Sequence, residues 1–141
     1  MRKWLLRSGI VVVVALIAVQ FVPLDTTNPA VEQDIPASPE VKAILRRACY
    51  DCHSNETVWP WYSRIAPVSW LIVRDVQEGR EELNFSTWNR YTTQEQVKKL
   101  KESWEEVEEG NMPLWFYLAI HRDVRLTEAD RALLRQWALQ R

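Results

Sequence analysis

Cys49-Tyr50-Asp51-Cys52-His53 decides how the rest of the chain is read. It contains both cysteines of the 141 residues. On a helical backbone positions 49, 52 and 53 stand at i, i+3 and i+4, so their side chains leave one face of a single turn. Two thiols and an imidazole on one face suit a flat cofactor, with two anchors at its edge and one nitrogen beneath its centre. Cys-x-x-Cys-His is the pattern of c-type haem attachment. In that reading Cys49 and Cys52 each form a thioether to the haem, and His53 is the proximal iron ligand.

Three other readings of the pair stand beside this one. A thioredoxin-like redox disulfide needs a surrounding βαβ pattern, which is missing. A Cys₂His₂ zinc site would recruit His53 and His121, without the usual His-x₃₋₅-His spacing. A structural disulfide between cysteines this close shuts too short a loop to stabilise much.

Working outward, residues 1–24 hold Arg2, Lys3 and Arg7 and no acid, which leaves 15 bases against 19 acids in residues 25–141. The run Ile10–Val19 is unbroken aliphatic. A basic flank before an apolar stretch marks an export signal or anchor. The stretch leaves through Gln20-Phe21-Val22-Pro23-Leu24, with bulky residues where a cleavage site wants small ones. Residues 1–24 are therefore expected to be an uncleaved signal anchor, a single transmembrane helix in the inner (cytoplasmic) membrane. The positive-inside rule puts the C-terminal body on the periplasmic side. Residues 25–37, polar with Pro29 and Pro36, read as a linker, and residues 38–141 as the haem-binding domain. No basic patch suggests nucleic acid as a partner.

The domain reads as helical throughout. Three glycines are few for a turn-rich β fold. Ser38-Pro39-Glu40 starts a helix, and Val41, Ile44, Leu45 and Ala48 make its apolar face. Pro60 and Pro67 break the next segment, which carries Trp59, Trp61, Tyr62 and Trp70. These aromatics are candidate haem contacts, and their donors, with Arg64, are candidates for the propionates. Val68 to Glu82 is a second helix with Leu71, Ile72 and Val76 inward and Gly79 loosening its end. Thr93-Gln94-Glu95-Gln96 reads as a capping box, followed by Val97, Leu100, Trp104 and Val107 at helical spacing and a Gly110 stop. Its charged residues read as a solvated face. Leu114 to His121 is a short helix. Thr127-Glu128-Ala129-Asp130 caps the last one, with Leu133, Leu134, Trp137 and Ala138 inward.

The stretches Cys49–Thr57, Trp59-Pro60-Trp61-Tyr62, Ala66-Pro67-Val68-Ser69-Trp70, Glu78-Gly79-Arg80 and Leu83-Asn84-Phe85-Ser86 with Trp88 together resemble the bacterial haem-binding domain family. The resemblance runs from about Ser38 to the C-terminus. It implies an exported or membrane-anchored protein with one c-type haem. Asn55-Glu56-Thr57 and Asn84-Phe85-Ser86 also fit the glycosylation pattern, which carries little weight in a bacterial chain.

For the sixth iron position, Met112 is the only methionine besides the initiator, and a thioether there raises the potential. His121 is the rival ligand, and an open position the third possibility. Gap-filling in the core is the plain alternative for Met112. The expected fold is all-α, a cytochrome c-like bundle of about five helices around one covalent haem, preceded by the transmembrane helix. The expected function is one-electron transfer to a redox partner protein with His53/Met112 ligation, not enzymatic catalysis. The alternatives are a haem-based sensor or ligand-binding module with an exchangeable sixth position and, more weakly, a peroxidase.

Overall fold

Prolines, caps and apolar periodicity divide the chain into helices, and the computed structural model follows most of these signals. It describes residues 2–140. The basic flank expected at Arg2 and Lys3 lies outside the described side chains. Among the described residues there are seven α-helices and no strand: α1 Arg2–Ala18, α2 Pro39–Ala48, α3 Tyr50–His53, α4 Val68–Glu82, α5 Thr93–Glu109, α6 Trp115–Ile120 and α7 Glu128–Leu139.

Helix α1 runs into a 3₁₀ turn, Val19–Phe21. The 18 residues Trp4–Phe21 have mean hydropathy 2.1, and none is buried. By length and composition this is one helix apolar enough to cross a membrane, and at ~1.5 Å per residue it reaches about 27 Å.

Ser38 caps α2 by accepting from the Val41 amide at 3.3 Å, with Pro39 in the first turn. Val41, Ile44, Leu45 and Ala48 are buried, the face their spacing specified. Helices α5 and α7 open with reciprocal capping boxes, Thr92 with Glu95 and Thr127 with Asp130. The first lies one residue earlier than the expected Thr93–Gln96 box. Both threonines present the right spacing, but only Thr92 finds a carboxylate at N3, a stronger acceptor than an amide. Gly110 ends α5 at φ 81°, a left-handed conformation that costs a Cβ-bearing residue ~1 kcal/mol or more.

Helix α7 packs on α5 and α2, while α4 packs on α3 and on the 3₁₀ turn Trp61–Arg64. The core between α2, α5 and α7 holds Leu45, Leu100, Trp104, Val107, Leu134 and Ala138, with Ile35, Tyr50, Phe85 and Trp88. Three inward assignments shift. Val97 and Leu133 sit at the exposed margins of their helices, and Leu71 of α4 is exposed. In α4 the buried line is Ser69, Val73 and Val76, since the helix packs on both α3 and the Trp61–Arg64 turn and leaves Leu71 outside those contacts.

The stretch 25–37 does not behave as a free tether. Ile35 is 1% exposed and its amide donates to Phe85 O at 2.9 Å. Glu32 and Gln33 amides both reach Ser86 O, and Gln33 pairs with Thr87 in an isolated parallel bridge. Composition marked this segment as irregular. It could not show that Ile35 completes the core beside Phe85 and Trp88.

Candidate functional site

The 49–53 motif sits on a broken helix. Cys49 ends α2 with φ −127° and ψ −32°, and its carbonyl then accepts from the Cys52 amide at 3.2 Å and the His53 amide at 2.9 Å. The chain thus makes one fresh turn, α3, on a new axis. Asp51, inside the motif, locks that turn from both sides. Its Oδ1 accepts from the Val58 amide at 3.0 Å, and its Oδ2 from the Tyr117 hydroxyl of α6 at 2.7 Å.

His53 is oriented by backbone. Its Nδ1 lies 2.9 Å from Gly79 O and 3.1 Å from Leu83 O. Carbonyls only accept, so Nδ1 carries the proton and Nε2 keeps its lone pair. Metal-bound histidines hold their tautomer and ring angle by this kind of bond. Burial pushes the His53 pKa down, against the two hydrogen bonds that raise it, so the ring is neutral at pH 7.

Helix α4 comes close enough to make these bonds only because position 79 lacks a side chain. A Cβ on Gly79 would stand 2.8 Å from Cys52 O and 3.2 Å from Cys52 C. The glycine does not loosen the helix end, as its residue type suggested. Helix α4 continues through it to Glu82.

Burial pushes both thiols up, Cys49 to about 12 and Cys52 to about 12, so both are protonated at neutral pH. A redox dithiol works by a lowered thiol pKa, so these surroundings oppose the disulfide-exchange reading. Among the described residues no group of three His, Cys, Asp or Glu comes together as a metal cage. His121 does not join the motif as a zinc site requires.

Two cavities meet at the motif. One, ≈ 570 Å³, lies between α2, α5 and α7 and is reached by Cys49, Leu45, Trp104, Leu134 and Trp137. The other, ≈ 360 Å³, lies between α3, α4 and α6 and is reached by Cys52, Val76, Tyr62, Phe116, Tyr117 and His121. His53, Glu82 and Met112 line both. The cysteines therefore face different cavities across the histidine, and Met112 shares the boundary with it.

Residues 14–140 match the family model described as a haem-binding domain. The chain belongs to that family. No curated protein and no solved structure matches it. The match spans nearly the whole chain and begins inside α1.

The residues of this haem-binding domain suit the group. The histidine is neutral, fixed in tautomer and free at Nε2, and apolar space adjoins it on both sides. Of the expected contacts, Cys49, Cys52, His53, Met112, Tyr62 and His121 gather at the cavities. Trp59, Trp61 and Trp70 line neither cavity. Trp59 donates to Asn28 Oδ1 at 3.3 Å, and Trp61 is 76% exposed. Arg64 is exposed as well. Density of aromatics in sequence does not tell which way each points. The tryptophans at the first cavity, Trp104 and Trp137, come from distant helices.

Sequence reading missed the polar frame under the site. Asn84 Nδ2 donates to Asn55 Oδ1, and Asn55 Nδ2 to Ala30 O, each at 2.9 Å. Ser86 Oγ accepts from the Asn55 amide at 2.9 Å, and Phe85 N donates to His53 O at 2.8 Å. The two asparagines of the glycosylation-like triplets are thus buried. They join the segment after the motif to the one after α4 and fix the His53 backbone between them. Arg80 adds a second tie, described below. A polar pair in otherwise aromatic stretches was the available signal.

Asp75 is the exception to this satisfaction of polar groups. Its Oδ2 is buried without a hydrogen-bond partner at the second cavity. Burial and then Glu78 raise its pKa above 3.8. A raised acid penalises the folded state above the folded pKa, and the penalty vanishes as pH falls below the unfolded one. Asp75→Asn is therefore expected to stabilise the domain at pH 7 by about 0.5 kcal/mol, discounted for solvent screening. The gain should disappear near pH 3.8. Thermal melts of both proteins at the two pH values check this, and an equal gain at both would contradict it.

Proposed function

We propose that this is a membrane-anchored c-type haem protein that transfers single electrons, with haem joined to Cys49 and Cys52 and iron held by His53 and Met112. The observation that carries the reading is the shared boundary of the two cavities, lined by His53 and Met112, with one cysteine opening to each side. A flat cofactor anchored at both thiols and ligated by His53 has apolar space on either hand, in the manner of a cytochrome c bundle. When bound, the iron supplies a ferrous/ferric couple.

This chain's residues then do three things. His53 presents Nε2 while Gly79 and Leu83 carbonyls hold its Nδ1 proton. Met112 is held near the site by its amide, which donates to Glu106 O at 3.0 Å. Aliphatic and aromatic side chains, among them Leu45, Trp104, Leu134 and Phe116, give the group apolar surface to lie against. His121 is less available as a ligand, since its Nε2 is hydrogen-bonded to the Tyr62 hydroxyl and its ring stacks on Tyr117 at 4.4 Å. The anchor is α1, in the inner membrane, with Arg2, Lys3 and Arg7 cytoplasmic and the domain periplasmic. Export supports the haem reading, because thioether attachment in bacteria takes place outside the cytoplasm.

The second reading is a sensor or ligand-binding module with an exchangeable sixth position. Tyr62, Tyr117 and His121 at the second cavity favour it, as hydrogen-bonding groups for a small iron ligand. Co-expression with a cytochrome c maturation system, then a haem-stained denaturing gel, tests attachment: wild type stains, and the double Cys49→Ala, Cys52→Ala variant does not. Met112→Ala then separates the two functions. Electron transfer with methionine ligation expects a changed reduced spectrum and new carbon monoxide binding. An unaltered spectrum and reactivity would leave the sensor reading in its place.

A further inference from the structure

We propose that the surface formed by the Trp61–Arg64 turn and the first turn of α4 lies on the lipid bilayer, seating the domain against the membrane that α1 crosses. The proposal rests on the anchor reading of α1. Two hydrogen bonds join the end of that helix to the domain. Gln20 Nε2 donates to Ala66 O at 3.1 Å, and the Ala66 amide donates to Gln20 Oε1 at 3.0 Å. One side-chain amide thus satisfies both backbone groups of Ala66, much as a neighbouring strand would. Gln20 belongs to the last turn of the apolar span, so Ala66 is held at the depth where that span leaves the hydrocarbon.

The residues around Ala66 are dressed for that depth. Trp61, Ile65, Val68, Trp70 and Leu71 are all exposed, from 38% for Trp70 to 76% for Trp61. They form one neighbourhood, because the 61–64 turn packs on α4. Residues 57–73 contain no acid and one base, Arg64, in a domain that is otherwise net acidic. Exposed tryptophan beside aliphatics and an arginine is the composition of a membrane interface, where indole sits at the headgroups and arginine meets lipid phosphate. The stretch that Gln20 holds, 57–73, carries none of the acidic groups that anionic lipid would repel. The same composition facing water would be an apolar patch with nothing to cover it. The bilayer adjoining α1 covers it without any further partner.

The seat has a consequence for the site. The turn that carries Trp61 also carries Tyr62, which lines the second cavity. The domain would thus meet the bilayer on one flank of that cavity, leaving the first cavity and acidic α5 away from the lipid.

The test uses the full haem-loaded chain in vesicles of phosphatidylcholine with phosphatidylglycerol. The photo-crosslinker p-benzoylphenylalanine is placed singly at Trp61, at Val68, or at exposed Glu108 on α5, and adducts are read by mass spectrometry. Lipid adducts at positions 61 and 68, none at 108, and their loss when Gln20→Leu is added are the expected results. Adducts to protein alone, or none, at 61 and 68 in a chain that survives an alkaline wash would overturn the seat while sparing the anchor. A chain stripped off by the wash would remove the anchor and, with it, the seat.

Discussion

Gly79→Ala is expected to destabilise the domain by about 2 kcal/mol and to lower its haem occupancy. In an exposed helix the same change stabilises by roughly 0.5–1 kcal/mol, because glycine is a poor helix former. Here the added methyl meets backbone, 2.8 Å from Cys52 O and 3.2 Å from Cys52 C. Backbone in the motif turn cannot rotate away, so α4 must retreat from α3. That retreat stretches the bond from His53 Nδ1 to Gly79 O, now 2.9 Å. The sign of the effect is therefore opposite to helix propensity, and the damage falls on the proximal histidine. Urea unfolding of the haem-loaded chain, followed by haem absorbance, measures both parts. Gly110→Ala is the comparison. It meets no atom within 4 Å but strains a residue at φ 81°, so it should lower stability without altering the haem spectrum. A Gly79→Ala protein as stable as wild type would refute the close-approach argument.

The second large effect is expected at Arg80. Its guanidinium donates to Ser54 O at 2.8 Å, Thr27 O at 3.1 Å, Asn28 Oδ1 at 2.8 Å and Thr57 Oγ1 at 2.9 Å. Four acceptors from two stretches of chain, 27–28 and 54–57, converge on one planar fork. Burial is the main influence on its pKa and lowers it, Asp25 opposes that through its charge, and the direct contacts are hydrogen bonds to neutral acceptors. Arg80→Ala leaves the partly buried Ser54 O and Thr57 Oγ1 without this donor and is expected to cost about 3 kcal/mol. Arg80→Lys keeps the charge but offers three donors around a point, and should recover less than half of the loss. The 25–31 stretch, tied down here and by Asn28 Nδ2 to Thr57 O at 2.9 Å, should become the first site of proteolysis in both variants. An Arg80→Ala protein within about 0.5 kcal/mol of wild type, with that stretch still protected, would show the fork to be dispensable.

Both positions belong to the Glu78-Gly79-Arg80 stretch. Sequence reading picked out its resemblance to the family, and its physical role waited for the fold. Helical spacing fully specified the buried face of α2, and capping-box spacing located the starts of α5 and α7 to within a residue. The same periodicity misjudged α4. Leu71 looked inward by hydropathy, but the helix buries its small and β-branched line, Ser69, Val73 and Val76. Packing on two neighbours, α3 and the 61–64 turn, outweighed apolar content there. The tryptophans show a similar limit. Eight are spread along the chain, and those in the dense 59–70 cluster are not the ones at the first cavity.

Local chemistry was settled by the sequence alone: a five-residue motif with two thiols and an imidazole on one turn, an apolar span behind a basic flank, and helices with their caps. Each depends on residues within a few positions of one another, so spacing is enough to read it. The tertiary structure decided what spacing cannot carry. It brought Gly79 and Leu83 carbonyls onto His53, set Met112 on the boundary of two cavities, folded Ile35 into the core and buried Asn55 against Asn84. Those contacts join segments roughly 20 to 60 residues apart, and they form only when packing has chosen which face of each helix is inward.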